Sequence, residues 1–212
     1  MTSVRTVFIE AAVGGLELVG SARVAQDWDL PSALSGMSVG ALAAHLARQV
    51  VRVPEVLATP VPDERPLPLV EHYARSEWVT SGPDDEPNAA IRARAVVDAL
   101  PGPTEVLARA LEALATARVV LPHEPAGRRV RPPWLAWNLT LDDYLRSRML
   151  EIVVHSDDLA VSVGVEPPAW PEEVVAPVLG VLTTLAVRRH GVPAVLRTLS
   201  RAERAPASIA AI

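Results

Sequence analysis

Cysteine and lysine are both missing from this chain of 212 residues. Without cysteine, the chain cannot form a disulfide, bind zinc or an iron–sulfur cluster through thiolates, or use a cysteine nucleophile. Without lysine, it cannot form a Schiff base and it lacks the lysine that phosphate-binding loops require. All 20 basic residues are therefore arginines. Any chemistry must rely on arginine, carboxylates, hydroxyls and five histidines, or on a group brought from outside.

Long apolar runs and positive charge are also scarce. No stretch reaches the roughly 18 uncharged apolar residues that span a bilayer, and the N-terminus does not read as a signal peptide, so we expect a cytoplasmic protein without a membrane partner. The formal net charge is −5 and the largest arginine cluster is Arg128, Arg129 and Arg131, which argues against nucleic acid as a partner. The mean hydropathy of +0.23 is consistent with a homodimer.

Apolar residues recur at helical spacing along most of the chain, which predicts an all-α fold. Ser38 and Thr140 are the predicted N-caps of two helices, and Gly164 is the predicted end of the second. The predicted helices cover residues 4–26, 39–53, 88–118 with a break between Pro101 and Pro103, 141–163, 171–189 and a short last segment after Gly191.

These helices predict a four-helix bundle with a long crossover. A short β-hairpin is predicted near residues 118–132, around a turn at residues 125–127. We expect residues 1–165 to form this bundle. Residues 166–212 are predicted to be a C-terminal helical extension that packs on this bundle, within a single domain overall.

One face of the predicted helix over residues 141–163 carries ionisable side chains among aliphatic neighbours. Arg148, Glu151, His155 and Asp158 follow one another at spacings of four or three, which places them along one stripe of a helix. A solvated helix face is not usually flanked so heavily by branched aliphatic residues. This stripe is therefore a candidate functional site.

His45 lies on the apolar side of the predicted helix that begins after Ser38. A buried imidazole without a partner costs about 1–3 kcal/mol, so a second helix with a carboxylate and an imidazole is a reasonable neighbour. Two histidines and one glutamate from two helices match a set that leaves an open position on zinc, and such a set can also hold iron or nickel. A satisfied core histidine and a chance Glu–His pair are the alternatives at this point.

Two segments resemble the metal-site segments of the mycothiol-dependent maleylpyruvate isomerase family, in the DinB-like superfamily of four-helix bundles. They read SALSGMSVGALAAHLA (32–47) and YLRSRMLEIVVHSDDLAVSVG (144–164), and the resemblance covers roughly residues 4–165. It implies that His45, Glu151 and His155 bind a divalent metal, usually Zn²⁺, with Ni²⁺ or Fe²⁺ as alternatives. Met37 stands where the family usually has tryptophan, and the segment after Gly164 is shorter than the second domain of the isomerase.

The resemblance implies a metal-dependent thiol transferase or isomerase. A small-molecule thiol of the mycothiol type would be activated at the metal and would add to an electrophilic substrate. Arg148 would anchor a substrate carboxylate, or alternatively form an ion pair with Glu151 or Asp158. Asp158 would orient His155 or His45, or alternatively be a surface acid. A non-catalytic metal-binding, ligand-binding or regulatory bundle and a metal-dependent hydrolase also stay open.

The remaining histidines and tryptophans have no predicted catalytic role. His72, His123 and His190 are expected at the surface. Trp134 and Trp137 are expected to pack the crossover against the bundle.

Overall fold

Helices make up most of the structure, a computed structural model that describes residues 3–82 and 84–212. The described residues form ten α-helices: α1 (Val4–Val19), α2 (Ala22–Gln26), α3 (Val39–Leu57), α4 (Leu69–Arg75), α5 (Glu77–Thr80), α6 (Glu86–Ala99), α7 (Pro103–Val120), α8 (Leu141–Val163), α9 (Glu172–His190) and α10 (Val192–Ser200). Two 3₁₀ turns cover Leu121–His123 and Ala202–Arg204. The all-α prediction is confirmed.

Four long helices, α1, α3, α7 and α8, pack around one apolar core, and α6 lies along α3. Phe8, Val50, Leu114 and Ile152 contribute one buried side chain from each of the four. The predicted four-helix bundle is therefore confirmed. In the part of the chain that the structure describes, no helix is long and apolar enough to cross a membrane.

The predicted caps fix the ends of the two helices that matter most for the site. The Ser38 hydroxyl accepts a hydrogen bond from the backbone N–H of Ala41 at 3.1 Å, and the Thr140 hydroxyl accepts one from that of Asp143 at 3.1 Å. Gly164 ends α8 in the left-handed conformation, with φ at 66°, which glycine adopts without steric cost. Both helices begin, and α8 ends, where the sequence predicts.

Two predicted helix boundaries are wrong. α3 does not end before Pro54 but continues to Leu57. The carbonyl of Pro54 still accepts a hydrogen bond from the backbone N–H of Ala58 at 3.1 Å, so the last turn of the helix stays closed beyond the proline. The first predicted helix is interrupted after α1, and Ser21 caps the separate helix α2 by accepting from the backbone N–H of Val24.

The predicted hairpin is present, but one of its strands lies elsewhere. Strand β1 (Arg129–Val130) falls within the predicted region and pairs antiparallel with β2 (Leu139–Thr140). The expected first strand near residue 118 is wrong, because those residues end α7. Ala110, Leu114, Ala117 and Leu121 are all buried, so the apolar stripe of α7 runs on at helical spacing through this region.

Helix α9, in the C-terminal part of the chain, packs against α1, α4 and α8. Val174 and Val178 of α9 are buried in the main core. Trp170, just before α9, closes over Gly14 of α1 so tightly that a β-carbon there would lie 2.7 Å from the indole ring. The division of the chain at residue 165 stays a prediction.

Candidate metal centre

Helices α3 and α8 bring three potential ligands together. One nitrogen or oxygen atom from each of His45, Glu151 and His155 lies within 4.8 Å of the other two. The Nε2 atoms of His45 and His155 are 3.8 Å and 3.3 Å from the same oxygen, Oε2 of Glu151. The two imidazole rings meet edge to face, with centroids 4.8 Å apart. The structure thus gathers the residues that the sequence selected.

The protonation of these three side chains follows from their surroundings. Burial lowers the pKa of His45 to about 4, so this imidazole is neutral at pH 7. Burial would raise the pKa of Glu151, but the adjacent imidazoles of His155 and His45 hold it well below its usual range. Burial would lower the pKa of His155, but hydrogen bonds to Asp158 and Glu151 raise it to about 9. Without a metal, His155 therefore carries the charge that balances Glu151.

Asp158 lies on the outer side of His155. Its Oδ2 is 3.0 Å from Nδ1 of His155, so Nε2 is the nitrogen that faces Glu151. Metal-binding histidines usually donate their second N–H to a carboxylate or carbonyl, which fixes the ring and its tautomer. The predicted orienting role of Asp158 thus has the geometry that it needs at His155.

Gln49 is a residue of the site that the sequence reasoning missed. Its Nε2 lies 3.2 Å from Nε2 of His45 and donates to the backbone carbonyl of His45 at 2.9 Å. Its Oε1 accepts from Nη1 of Arg148. The signal in the sequence is its position, because Gln49 follows His45 by four residues on a buried helix face.

Arg148 is buried between the two helices, with 8% of its surface exposed. In addition to its hydrogen bond to Gln49, Arg148 donates from Nε to the Ser147 hydroxyl at 3.2 Å. Its guanidinium carbon lies 5.3 Å from the centre of the Tyr144 ring. Among the described residues it forms no salt bridge with Glu151 or Asp158, the alternative that its spacing suggested. Its role as an anchor for a substrate carboxylate stays a prediction.

His72 is buried, with 5% exposure, so its expected surface position is wrong. Trp137, from the segment between β1 and β2, covers it and donates from Nε1 to its Nδ1 at 3.1 Å. Burial, then the charge of Arg148, lowers the pKa of His72 to about 4. His123 and His190 are exposed as predicted.

Trp137 packs the crossover against the bundle as predicted. Trp134 remains 43% exposed and lies under Arg52.

Comparison with protein-family models gives a match over most of the chain. Residues 10–160 match the model of the family described as mycothiol maleylpyruvate isomerase N-terminal domain. The match includes all three convergent residues and confirms the resemblance that the two sequence segments carry. The searches of curated proteins and of solved structures returned no match.

Proposed function

Because the chain belongs to the mycothiol maleylpyruvate isomerase N-terminal domain family, we propose that it is a metal-dependent thiol transferase or isomerase. The observation that carries this proposal is the convergence of His45, Glu151 and His155 within 4.8 Å. Two imidazole nitrogens and one carboxylate oxygen are a donor set that zinc uses in catalytic sites, and Ni²⁺ or Fe²⁺ could take the same set. The donors therefore fit a divalent metal with one position left for a ligand.

Each residue has a separate task in this proposal. A bound divalent metal supplies the positive charge that lets a thiol ionise at neutral pH. His45 presents a neutral imidazole, which is the form that binds metal, and Glu151 supplies negative charge. Asp158 holds the ring of His155 and accepts its second N–H. Arg148 holds Gln49 beside His45.

The thiol must come from outside, because the chain has no cysteine. We propose a mycothiol-type small molecule as the thiol and a small electrophilic molecule as the second substrate. If the thiol is expelled after it has added to a double bond, the outcome is isomerisation. If it stays, the outcome is conjugation. A homodimer remains part of the proposal.

Metal analysis of the purified, untagged protein tests the site directly. We expect about one zinc ion per chain in the wild-type protein, and loss of zinc in His45→Ala and His155→Ala. His123→Ala is the matched control, because this histidine is exposed and lies outside the site. A wild-type protein without divalent metal, or equal metal content in all variants, contradicts the proposal.

Thiol dependence tests the chemistry once metal is found. We expect turnover of electrophiles to require added mycothiol and to disappear in His45→Ala. Turnover without thiol instead indicates a metal-dependent hydrolase. Metal without turnover across a panel of electrophiles indicates a non-catalytic binding or regulatory bundle.

A further inference from the structure

A cavity of about 270 Å³ lies beside α3. Its walls come from α3, α6 and α7, and Trp134 closes one side. Four arginines and three carboxylates line it. The cavity thus holds one excess positive charge in a chain whose formal net charge is −5.

Three of the four arginines are paired with carboxylates. Arg48 and Arg94 share Asp98, at 2.9 Å and 2.8 Å. Arg109 is 3.2 Å from Glu55. Each of these three arginines therefore has a carboxylate partner in the cavity wall, although Arg48 and Arg94 share one.

Arg52 is the fourth arginine and has no carboxylate partner among the described residues. Its guanidinium carbon lies 3.9 Å from the centre of the Trp134 ring. Burial and the charges of Arg48 and Arg148 lower its pKa to about 10, so it still carries its charge at pH 7. Stacking on an aromatic face leaves the N–H groups at the edge of a guanidinium available for a planar anion.

Arg52 and His45 lie along one stripe of α3. They are seven residues apart, which is two helical turns and about 10 Å along the axis. Arg48 lies between them, with Nη2 3.3 Å from Nδ1 of His45 and a place in the cavity wall. A small molecule held at Arg52 is therefore close to the candidate metal centre.

We propose that this cavity binds the carboxylate of a small organic acid, with Arg52 as the residue that receives it. The guanidinium edge matches the two oxygens of a carboxylate. One excess positive charge fits a monoanion, and the three carboxylates in the wall disfavour a dianion such as a phosphate monoester. That this organic acid is the electrophilic substrate rests on the proposed function, whereas the binding site itself does not.

Benzoate, benzamide and phenylphosphonate are suitable probes, since they share a ring and differ in charge. We expect benzoate to shift the Nε–Hε NMR signal of Arg52 and benzamide to leave it in place. Arg52→Gln should raise the Kd for benzoate about tenfold or more, because it removes a charge-assisted contact. Trp134→Ala should weaken benzoate binding without any change of charge.

Arg94→Gln is the matched control, since it removes the same charge from the cavity while Arg48 still pairs with Asp98. We expect its Kd for benzoate to stay close to that of the wild-type protein. Equal weakening of benzoate binding in Arg52→Gln and Arg94→Gln overturns the proposal, because the effect would then come from long-range charge and not from a direct contact with Arg52. Tighter binding of phenylphosphonate than of benzoate overturns the carboxylate assignment.

The titrations are run on both zinc-free and zinc-loaded protein, because a carboxylate can also bind zinc. Benzoate binding that needs zinc and ignores Arg52 overturns the cavity proposal and leaves the proposed function standing. Arg52-dependent binding in a protein that never takes up metal supports the cavity and removes the proposed function. Thermal unfolding of both arginine variants confirms that they are folded.

Discussion

His155 stands between two carboxylates, one at each ring nitrogen. Glu151 faces Nε2 and Asp158 faces Nδ1, at 3.3 Å and 3.0 Å. The two acids have different roles. Glu151 lies on the Nε2 side, which faces the other candidate ligands, whereas Asp158 lies on the opposite side of the ring. Asp158 therefore acts on the site through the imidazole ring.

Replacing Asp158 with asparagine tests this positioning role. We expect Asp158→Asn to weaken zinc binding by about 10–100-fold, because His155 loses the partner that holds its ring and raises its basicity. Competition with a chromophoric chelator measures the effect. Asp157→Asn removes the same charge from the preceding residue, which is exposed, and should change the affinity for zinc little. An equal loss of zinc affinity in the two variants would show that the effect comes from the overall charge of the protein and not from the position of Asp158.

His72 gives the stability of the protein a dependence on acid pH. Its pKa is about 4 in the folded protein against an ordinary value of 6.5, so the unfolded chain takes up the proton first as the pH falls. Stability from this group is complete above pH 6.5 and is lost between pH 6.5 and 4. This loss is on the order of 3 kcal/mol.

We expect His72→Gln to make the free energy of unfolding fall less steeply between pH 6.5 and 4. Glutamine can still accept the hydrogen bond from Trp137. Urea unfolding in chelator at several pH values measures the slope, and exposed His123 supplies the control variant His123→Gln. An unchanged slope in His72→Gln would show that other groups, such as buried His45, carry the acid sensitivity.

The sequence identifies most of the candidate site but not all of it. His45, Glu151, His155 and Asp158 could be selected because their spacing and aliphatic surroundings are local features. The burial of His72 could not, because it depends on Trp137, 65 residues further along the chain. The neighbours of His72 in sequence are largely polar, and only the folded structure shows that Trp137 covers its side chain.

At the scale of a helix, two glycines have opposite requirements. Gly40, in the first turn of α3, lies against Trp28, and a β-carbon there would be 2.5 Å from the indole ring. Gly180, within α9, has nothing within 4 Å of that position. The first glycine allows a close contact, whereas the second only adds backbone freedom to the unfolded chain.

We therefore expect alanine to act in opposite directions at these two positions. Gly40→Ala should destabilise the protein by about 1–3 kcal/mol, because Trp28 must move out of a packed site. Gly180→Ala should stabilise it by about 0.5–1 kcal/mol through helix propensity. Equilibrium urea unfolding distinguishes the two. A stable Gly40→Ala variant would mean that Trp28 has another position available.

Helix ends were easier to predict than strand partners. Ser38, Thr140 and Gly164 act on the backbone within three or four residues, so their effect is readable from the local sequence. The partner of β1 is a choice between distant segments. Residues near 118 are not available as a strand because they belong to α7. The length of α7 is in turn set by the core against which it packs.

For the molecule as a whole, the candidate metal centre joins α3 to α8. These two helices pack directly on each other, and each contributes at least one candidate ligand. A metal bound to both would stabilise the folded chain and not the unfolded one, so its binding energy would be added to the folding energy.

Zinc should raise the free energy of unfolding by about 2.7 kcal/mol when its free concentration is 100 times Kd. For a chain of this length, the midpoint of thermal unfolding should rise by roughly 2–4 °C for each kcal/mol. Thermal scans with buffered zinc measure this shift. Glu151→Gln keeps the shape of the side chain and should lose most of the shift. An equal rise in Glu151→Gln would show that zinc binds elsewhere.

The sequence distance between the candidate ligands also affects the order of events during synthesis. Glu151 follows His45 by 106 residues, so the two meet only after a very long loop has closed. Contacts of such high separation form late, since their entropy cost comes before their reward. A metal held by both helices would therefore be captured only after α3 and α8 have packed together.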